Sequence, residues 1–231
     1  MTPQLVAIIP AAGHSRRMGQ PKLLLEVAGH SVIARVIGAL QQAGVARCLV
    51  VVRADDSALA TAARSAGAEV VIPAVDPDDM RQSVEWALRH LYGETLAFRS
   101  AKERSFAERT ASVPEPLIPT PPAPCEGWVL VPADHPTLNP KILRELVAAW
   151  SLCPDRIAVP VFDGKRGHPT IFQRRMGEEV LALPLNQGLN QLLRSDPARV
   201  LEVEVTDPHI LDDLDTPEEF LQLLRQWESP Q

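Results

Sequence analysis

The chain is short of positive charge. Its 23 Lys and Arg residues are outnumbered by 29 Asp and Glu, giving a formal net charge of −6, and this leaves no basic stripe of the kind that dominates nucleic-acid affinity. Long hydrophobic runs are missing too: no apolar stretch approaches the roughly 20 residues needed to span a bilayer. Met1 to Gln4 leads directly into a strand-like run, without the pattern of a signal peptide. Together these absences predict a soluble, intracellular, cytoplasmic protein with no nucleic-acid partner and no membrane partner. Cysteine is scarce. Cys48, Cys125 and Cys153 are odd in number and lack Cys-x-x-Cys spacing, so neither a disulfide framework nor a zinc site is indicated, and the expectation is unlinked thiols used in packing.

What is present is enough apolar material for a core. Of 231 residues, 45% are hydrophobic, and a single domain over residues 1–231 is expected. Leu5 to Pro10 is a continuous apolar run, after which Val32, Ile33, Val36, Ile37 and Leu40 recur at helical spacing. Cys48 to Val52 repeats the strand signature, Ser57 to Ser65 is helix-compatible, and Glu69 to Ile72 is a third short run. Val84, Ala87, Leu88 and Leu91 then mark a helix. This alternation predicts an α/β fold with a mainly parallel sheet and helices on both faces, a three-layer α/β/α Rossmann-like arrangement whose ligands bind at the strand carboxyl ends.

Between Glu94 and Glu126 the alternation stops. Pro114 to Pro124 holds six prolines in eleven residues, which predicts an extended, partly mobile insertion with the role of a surface loop, a lid or a partner-docking segment. Order resumes with an apolar run from Gly127 to Ala133. A helix follows on Ile142, Leu143, Leu146, Val147 and Trp150, then a strand from Arg156 to Val161. Leu201, Val203 and Val205 alternate with Glu202 and Glu204, the period of a strand with one wet face. The last helix, from about Pro217 to Trp227, has Thr216 as its expected cap. No solenoid repeat is found.

The strongest chemical signal is Pro10-Ala11-Ala12-Gly13-His14-Ser15-Arg16-Arg17-Met18-Gly19-Gln20-Pro21-Lys22-Leu23-Leu24-Leu25, which opens where a buried strand ends. Small residues let the backbone approach a ligand. Gly13 and Gly19 can take conformations closed to other residues and expose N–H groups as an anion cradle, while Arg17 and Lys22 bring charge suited to a polyphosphate. The spacing fits neither the P-loop, where lysine directly follows the second glycine, nor the dinucleotide G-x-G-x-x-G pattern.

This segment resembles the signature of nucleotidyltransferases that use a nucleoside triphosphate to build activated sugars, isoprenoid intermediates and dinucleotide forms of the molybdenum cofactor. Ala11-Ala12 and Gln20-Pro21 before Lys22 are similar to the molybdenum cofactor cytidylyltransferase branch; the guanylyltransferase branch, of molybdopterin-guanine dinucleotide synthase type, usually shows G-G in place of the alanines. The resemblance implies the nucleotide-diphospho-sugar transferase-like fold, with CTP as the favoured triphosphate. It also implies Lys22 and Arg17 as catalytic cations, with Pro10, Ala11, Ala12, Gly13, His14, Ser15 and Gly19 binding the nucleotide.

Four further elements extend it. Val129-Leu130-Val131-Pro132-Ala133-Asp134-His135-Pro136 resembles the family's G-D-x-P element, with Ala133 in place of glycine, and implies Asp134 as a Mg²⁺ ligand. Magnesium is ordinarily held by one or two carboxylates plus substrate phosphates, so a single aspartate suffices as one anchor; a strand-end aspartate also serves as a turn former. Gly167-His168-Pro169 resembles the acceptor-side element and implies His168 as an acceptor contact, with Lys165 and Arg166 upstream to attract an anion. Asp212-Asp213-Leu214-Asp215-Thr216-Pro217-Glu218-Glu219 resembles the late acidic element, with Asp213 as second Mg²⁺ carboxylate and Asp215 organising the loop or capping the last helix. Asp78-Asp79-Met80-Arg81-Gln82-Ser83 lies where the family has a segment near the nucleobase, and only Ser83 matches.

One stretch departs. Where the cytidylyltransferases carry a G-D-x-G-A-R-like sequence, this chain reads Asn186-Gln187-Gly188-Leu189-Asn190-Gln191-Leu192-Leu193, without the acid and the arginine. The implied activity is transfer of a nucleoside monophosphate to a small phosphorylated acceptor such as molybdopterin, with Mg²⁺ as cofactor and a molybdoenzyme or its chaperone as a protein partner. The alternatives are a nucleotide-binding regulatory or carrier domain without turnover, and a transferase acting on a different acceptor such as a sugar phosphate.

Overall fold

A computed structural model of the chain describes residues 3–15, 17–93, 125–184 and 187–228. The proline-rich insertion therefore lies outside the described residues, except for Cys125 and Glu126 at its end. Among the described residues ten strands form, β1 Leu5–Pro10, β2 Glu26–Val27, β3 His30–Ser31, β4 Arg47–Val51, β5 Glu69–Val71, β6 Gly127–Leu130, β7 Ile157–Phe162, β8 Lys165–Arg166, β9 Thr170–Gln173 and β10 Val200–Glu204. The α-helices among these residues are α1 Val32–Gln42, α2 Ser57–Ser65, α3 Met80–Tyr92, α4 Pro140–Leu152, α5 Met176–Ala182, α6 Asn190–Ser195 and α7 Pro217–Glu228.

The main sheet runs β10-β7-β9-β6-β1-β4-β5, with β8 paired to β7. Pairings β1 with β4, β1 with β6, β4 with β5 and β10 with β7 are parallel, whereas β9 runs antiparallel to both its neighbours. The sheet is thus mainly parallel, as expected, with one reversed strand in its interior. β2 and β3 make a separate small hairpin.

The continuous apolar run of β1 is explained by burial on both faces. Ala7 and Ile9 pack with α1, α2, α4 and α7, through residues such as Val36, Leu59, Leu146 and Leu223. Val6 and Ile8 face the other way, into a cluster with α3, α5 and α6 through Leu88, Met176 and Leu192. Each fully buried Leu, Ile or Val in these two layers stabilises the fold by about 1.5–3 kcal/mol. In the second layer Trp128 and Phe172 stack with ring centroids 4.1 Å apart, joining β6 to the antiparallel β9.

Local capping fixes where the helices start. Asp56, Asp79 and Asn139 accept from Leu59, Gln82 and Lys141 N–H at 3.1, 2.8 and 2.9 Å, opening α2, α3 and α4. At α7, Thr216 Oγ1 accepts from Glu219 N–H while the Glu219 carboxylate accepts from Thr216 N–H, a reciprocal capping box. Arg35 of α1 lies 3.5 Å over the Trp227 ring and holds α7 against the first layer. Cys48 and Cys125 are buried, Cys153 is exposed, and all three are free thiols. No helix among the described residues is long and apolar enough to cross a membrane.

Candidate active site

β1, β4 and β6 end on one edge of the sheet, the edge at which open α/β sheets bind their ligands. The first loop stays on the sheet for one more residue, because Ala11 N–H donates to Val51 carbonyl at 2.9 Å. Gly13 and His14 are then exposed, Ser15 takes a positive φ of 48°, and Gly19, at φ 69°, donates back to Ser15 carbonyl at 3.1 Å. Gly19 thus uses the left-handed region reserved largely for glycine. Gly13 does not; a Cβ there would meet nothing within 4 Å, so its contribution is open space beside the backbone. Buried Met18 and Leu23 anchor the loop to the core. Arg16 lies outside the described residues.

Lys22 opens a short 3-10 turn, Lys22–Leu24, whose middle residue Leu23 is buried. Its ammonium donates to Asp134 at 2.5 Å and to Asp215 at 2.9 Å. Arg17 bonds the other oxygen of Asp215 at 2.7 Å from an exposed position. Asp134 follows β6, and its carbonyl accepts from Leu214 N–H at 3.0 Å, so the backbone itself joins the two acidic segments. Loops 112 and 193 residues away from Lys22 therefore meet at one ammonium group.

The charges act on one another. Burial alone would lower the Lys22 pKa, but the hydrogen bonds and charges of Asp134 and Asp215 outweigh it and leave the pKa raised. Asp215 moves the other way: against the effect of burial, the bond and charge of Lys22 and the charge of Arg17 lower it. Asp213 is raised, first by burial and then by the negative charges of Asp134 and Asp215. Three carboxylates thus face two cations, and Asp213 carries the unbalanced charge. That donor set, all hard oxygen, fits a divalent cation of the magnesium type held jointly with phosphate oxygens. Among the described residues no group of three or more His, Cys, Asp or Glu side chains could hold a metal by itself.

Several expected residues are placed differently. Asp215 is not the cap of the last helix; Thr216 and Glu219 fill that role, and the Asp215 carboxylate is drawn to Lys22 and Arg17. Ser83, expected near the nucleobase, is 2% exposed, and its hydroxyl donates to the carbonyl of Asp79, the cap of α3. His168 turns inward: its Nδ1 is enclosed without a partner among the described residues, and burial lowers its pKa. It lies in a tight cleft with His135, Thr137 and Asp207, where His135 is 1% exposed and pushed down to about 4 by burial. Arg166 pairs with Glu202 at 2.7 Å, leaving Lys165 as the exposed cation upstream of the turn.

Two arginines escaped sequence reasoning. Arg53, just past β4, donates from Nη1 to the carbonyls of Ala12 and Gly13, both at 3.0 Å. Arg81, 5% exposed at the start of α3, donates to the carbonyls of Leu183 at 2.7 Å and Gln187 at 3.1 Å, and also to that of Pro184. It thereby ties down the start of the stretch that departs from the cytidylyltransferase pattern and the residues before it; Asn186 of that stretch lies outside the described residues. The one signal for either was an arginine beside an element that the sheet order brings next to the first loop or the departing stretch.

Residues 7–200 match the model of the MobA-like NTP transferase domain. The chain is 30% identical over 220 residues to the purine catabolism protein PucB of Bacillus subtilis, covering 95% of each. It is 31% identical over 97 residues to the molybdenum cofactor cytidylyltransferase of Escherichia coli, covering 42% of this chain and 47% of that protein. Among solved structures, Rv0371c of Mycobacterium tuberculosis superposes with a TM-score of 0.71 at 25% identity, over 96% of this chain and 98% of that one. The chain belongs to the MobA-like NTP transferases, as a nucleotidyltransferase of that type.

Proposed function

We propose that the chain transfers a nucleoside monophosphate, CMP in preference, from a nucleoside triphosphate to a small phosphorylated acceptor such as molybdopterin, releasing pyrophosphate. The observation that carries this reading is the convergence of Lys22, Arg17, Asp134 and Asp215 beside the first loop. An oxygen of the acceptor phosphate bonds the α-phosphorus, the bond from that phosphorus to the oxygen bridging to the β-phosphate breaks, and its electron pair leaves on pyrophosphate. The attacking phosphate is already ionised near neutral pH, so no general base is needed, and the protein's task is alignment and charge stabilisation.

Lys22 and Arg17 neutralise the triphosphate and the charge that grows on the leaving group. Backbone N–H groups from Ala12 to Ser15 cradle the phosphates, within the loop that runs from Pro10 through Gly13 and His14 to Gly19. Asp134 and Asp213 would hold Mg²⁺, which when bound supplies divalent charge across the phosphate oxygens. Preference for CTP is supported by Ala11-Ala12 and Gln20-Pro21 and by the partial match to a cytidylyltransferase. His168 keeps a place on the acceptor side as a neutral imidazole.

A panel of CTP, GTP, ATP and UTP with Mg²⁺ tests the proposal, read by pyrophosphate release and thermal shift with and without molybdopterin and a set of sugar phosphates. CTP-selective stabilisation with molybdopterin-dependent release is the expected result. Release with a sugar phosphate instead reassigns the acceptor, and stabilisation without release across the panel makes the chain a nucleotide binder.

A further inference from the structure

We propose that Arg53 is a positioning residue that aims the backbone N–H groups of Gly13 and His14 at the triphosphate. The inference rests on the nucleotidyl-transfer reading above. A trans peptide is planar, and its C=O and N–H point in opposite directions. The only cis bond among the described residues is His168–Pro169, so the peptides after Ala12 and Gly13 are trans. Arg53 Nη1 gathers both of their carbonyl oxygens at 3.0 Å. Their amide hydrogens, on Gly13 and His14, are thereby turned to the opposite side, and neither donates to any partner among the described residues. Two consecutive N–H groups aimed the same way form an anion site.

The guanidinium is itself held. Its Nε bonds Asp55 at 3.0 Å, its Nη2 lies 3.8 Å from Asp56, and the side chain is 11% exposed. Asp56 is also the cap of α2, so the orientation of the cradle is referred back to a packed helix. A planar fork with several fixed donors can do this for two carbonyls at once, which a lysine ammonium at the same place cannot do with the same geometry. On the ligand side the space is open, since a Cβ on Gly13 would meet nothing within 4 Å.

The test compares wild type, Arg53→Met and Arg53→Lys by titration with each of the four nucleoside triphosphates, by KM and kcat in pyrophosphate release, and by melting temperature without nucleotide. The expected result is a KM for the triphosphate raised roughly 10- to 100-fold in Arg53→Met, the worth of about one charge-assisted hydrogen bond. KM for the acceptor should stay unchanged, Arg53→Lys should fall between, and millimolar guanidinium, but not ammonium, should restore part of the loss. A residue that only stabilised the fold would lower the melting temperature and leave KM for the triphosphate at the wild-type value, which overturns the inference. Should Arg53→Met fail to fold, wild-type triphosphate affinity in Arg53→Lys overturns it equally. Wild type binding none of the four triphosphates defeats the transferase reading, and this inference with it.

Discussion

The Lys22 ammonium lies 2.5 Å from the Asp134 carboxylate, so a cation assigned to phosphate and a carboxylate assigned to metal neutralise each other. Binding both substrate and metal requires that pair to part. Removing the lysine should therefore have two opposite effects. Lys22→Ala should lower turnover a few hundredfold, on the order of 3 kcal/mol of transition-state stabilisation. It should also tighten Mg²⁺ binding measured by calorimetry without nucleotide, because Asp134 is released. Undiminished turnover in this variant would rule out the assignment of Lys22.

Asp213 and Asp215 are two residues apart and should respond to amidation with opposite signs. Asp215 has a lowered pKa through Lys22 and Arg17, so its ionised form favours the folded state above the ordinary carboxylate range, near pH 3.9. That contribution is lost as pH falls through its folded value. Asp215→Asn should lower the melting temperature at pH 7 and change it little in strong acid. Asp213 is raised by burial and by its acidic neighbours, so its charge opposes folding at pH 7 and has no effect once it is protonated in both states. Asp213→Asn should raise the melting temperature at pH 7, with the gain vanishing below about pH 3.9, and should cost Mg²⁺-dependent activity. Melting curves between pH 3 and 8 read both.

Lys22 behaves as the basic counterpart. Its raised pKa contributes stability that is complete below the unfolded value near 10.4 and is lost as pH rises through the folded value. The alkaline limb of the melting profile should accordingly flatten in Lys22→Met relative to wild type.

Arg81→Ala should be among the more damaging single substitutions away from the reacting groups. It strands Glu85, whose carboxylate lies 2.6 Å from the guanidinium, and removes the donor to three backbone carbonyls. Breaking a buried pair from one side costs about 3 kcal/mol, roughly 6–12 °C in a domain of this size. Differential scanning calorimetry measures it, and a shift under 2 °C would place the charge of Glu85 in contact with water.

Gly167→Ala tests the acceptor-side turn. A Cβ there would run into the Ile210 carbonyl, and His168 N–H bonds that same carbonyl at 2.9 Å. The expected cost is about 1–3 kcal/mol of overpacking. Because His168 must move with it, the KM for the acceptor should rise while that for the triphosphate holds, as steady-state kinetics would show.

Much of the fold was legible because its signals are local. The two-faced burial of Leu5 to Pro10 and the helical spacing from Val32 to Leu40 are written in neighbouring residues, and the strand and helix formed there. The run read as a strand from Gly127 to Ala133 ends as a ladder at Leu130, because the β9 partner stops at Thr170. The direction of β9 itself was illegible, since alternation fixes a strand's faces and says nothing of which way it runs beside its neighbours. In the site, the glycine loop was found from its own residues. The pairing of Asp215 with Lys22 and Arg17 was not, because two like carboxylates on one loop differ only in which cations the fold brings to them. Arg53 and Arg81 were missed for the same reason: their partners are 40 or more residues away.

The contact between Lys22 and Asp215 spans 193 residues, and that separation has a consequence in time. During synthesis the glycine loop is made well before Asp215, so Arg17 and that side of Lys22 wait for this partner while the residues between are added. Loop-closure entropy makes such distant contacts late ones in refolding as well. The pairs of Lys22 and Arg17 with Asp215 are therefore late contacts, and a nucleotide site built on them would report completed folding rather than an early event along the way.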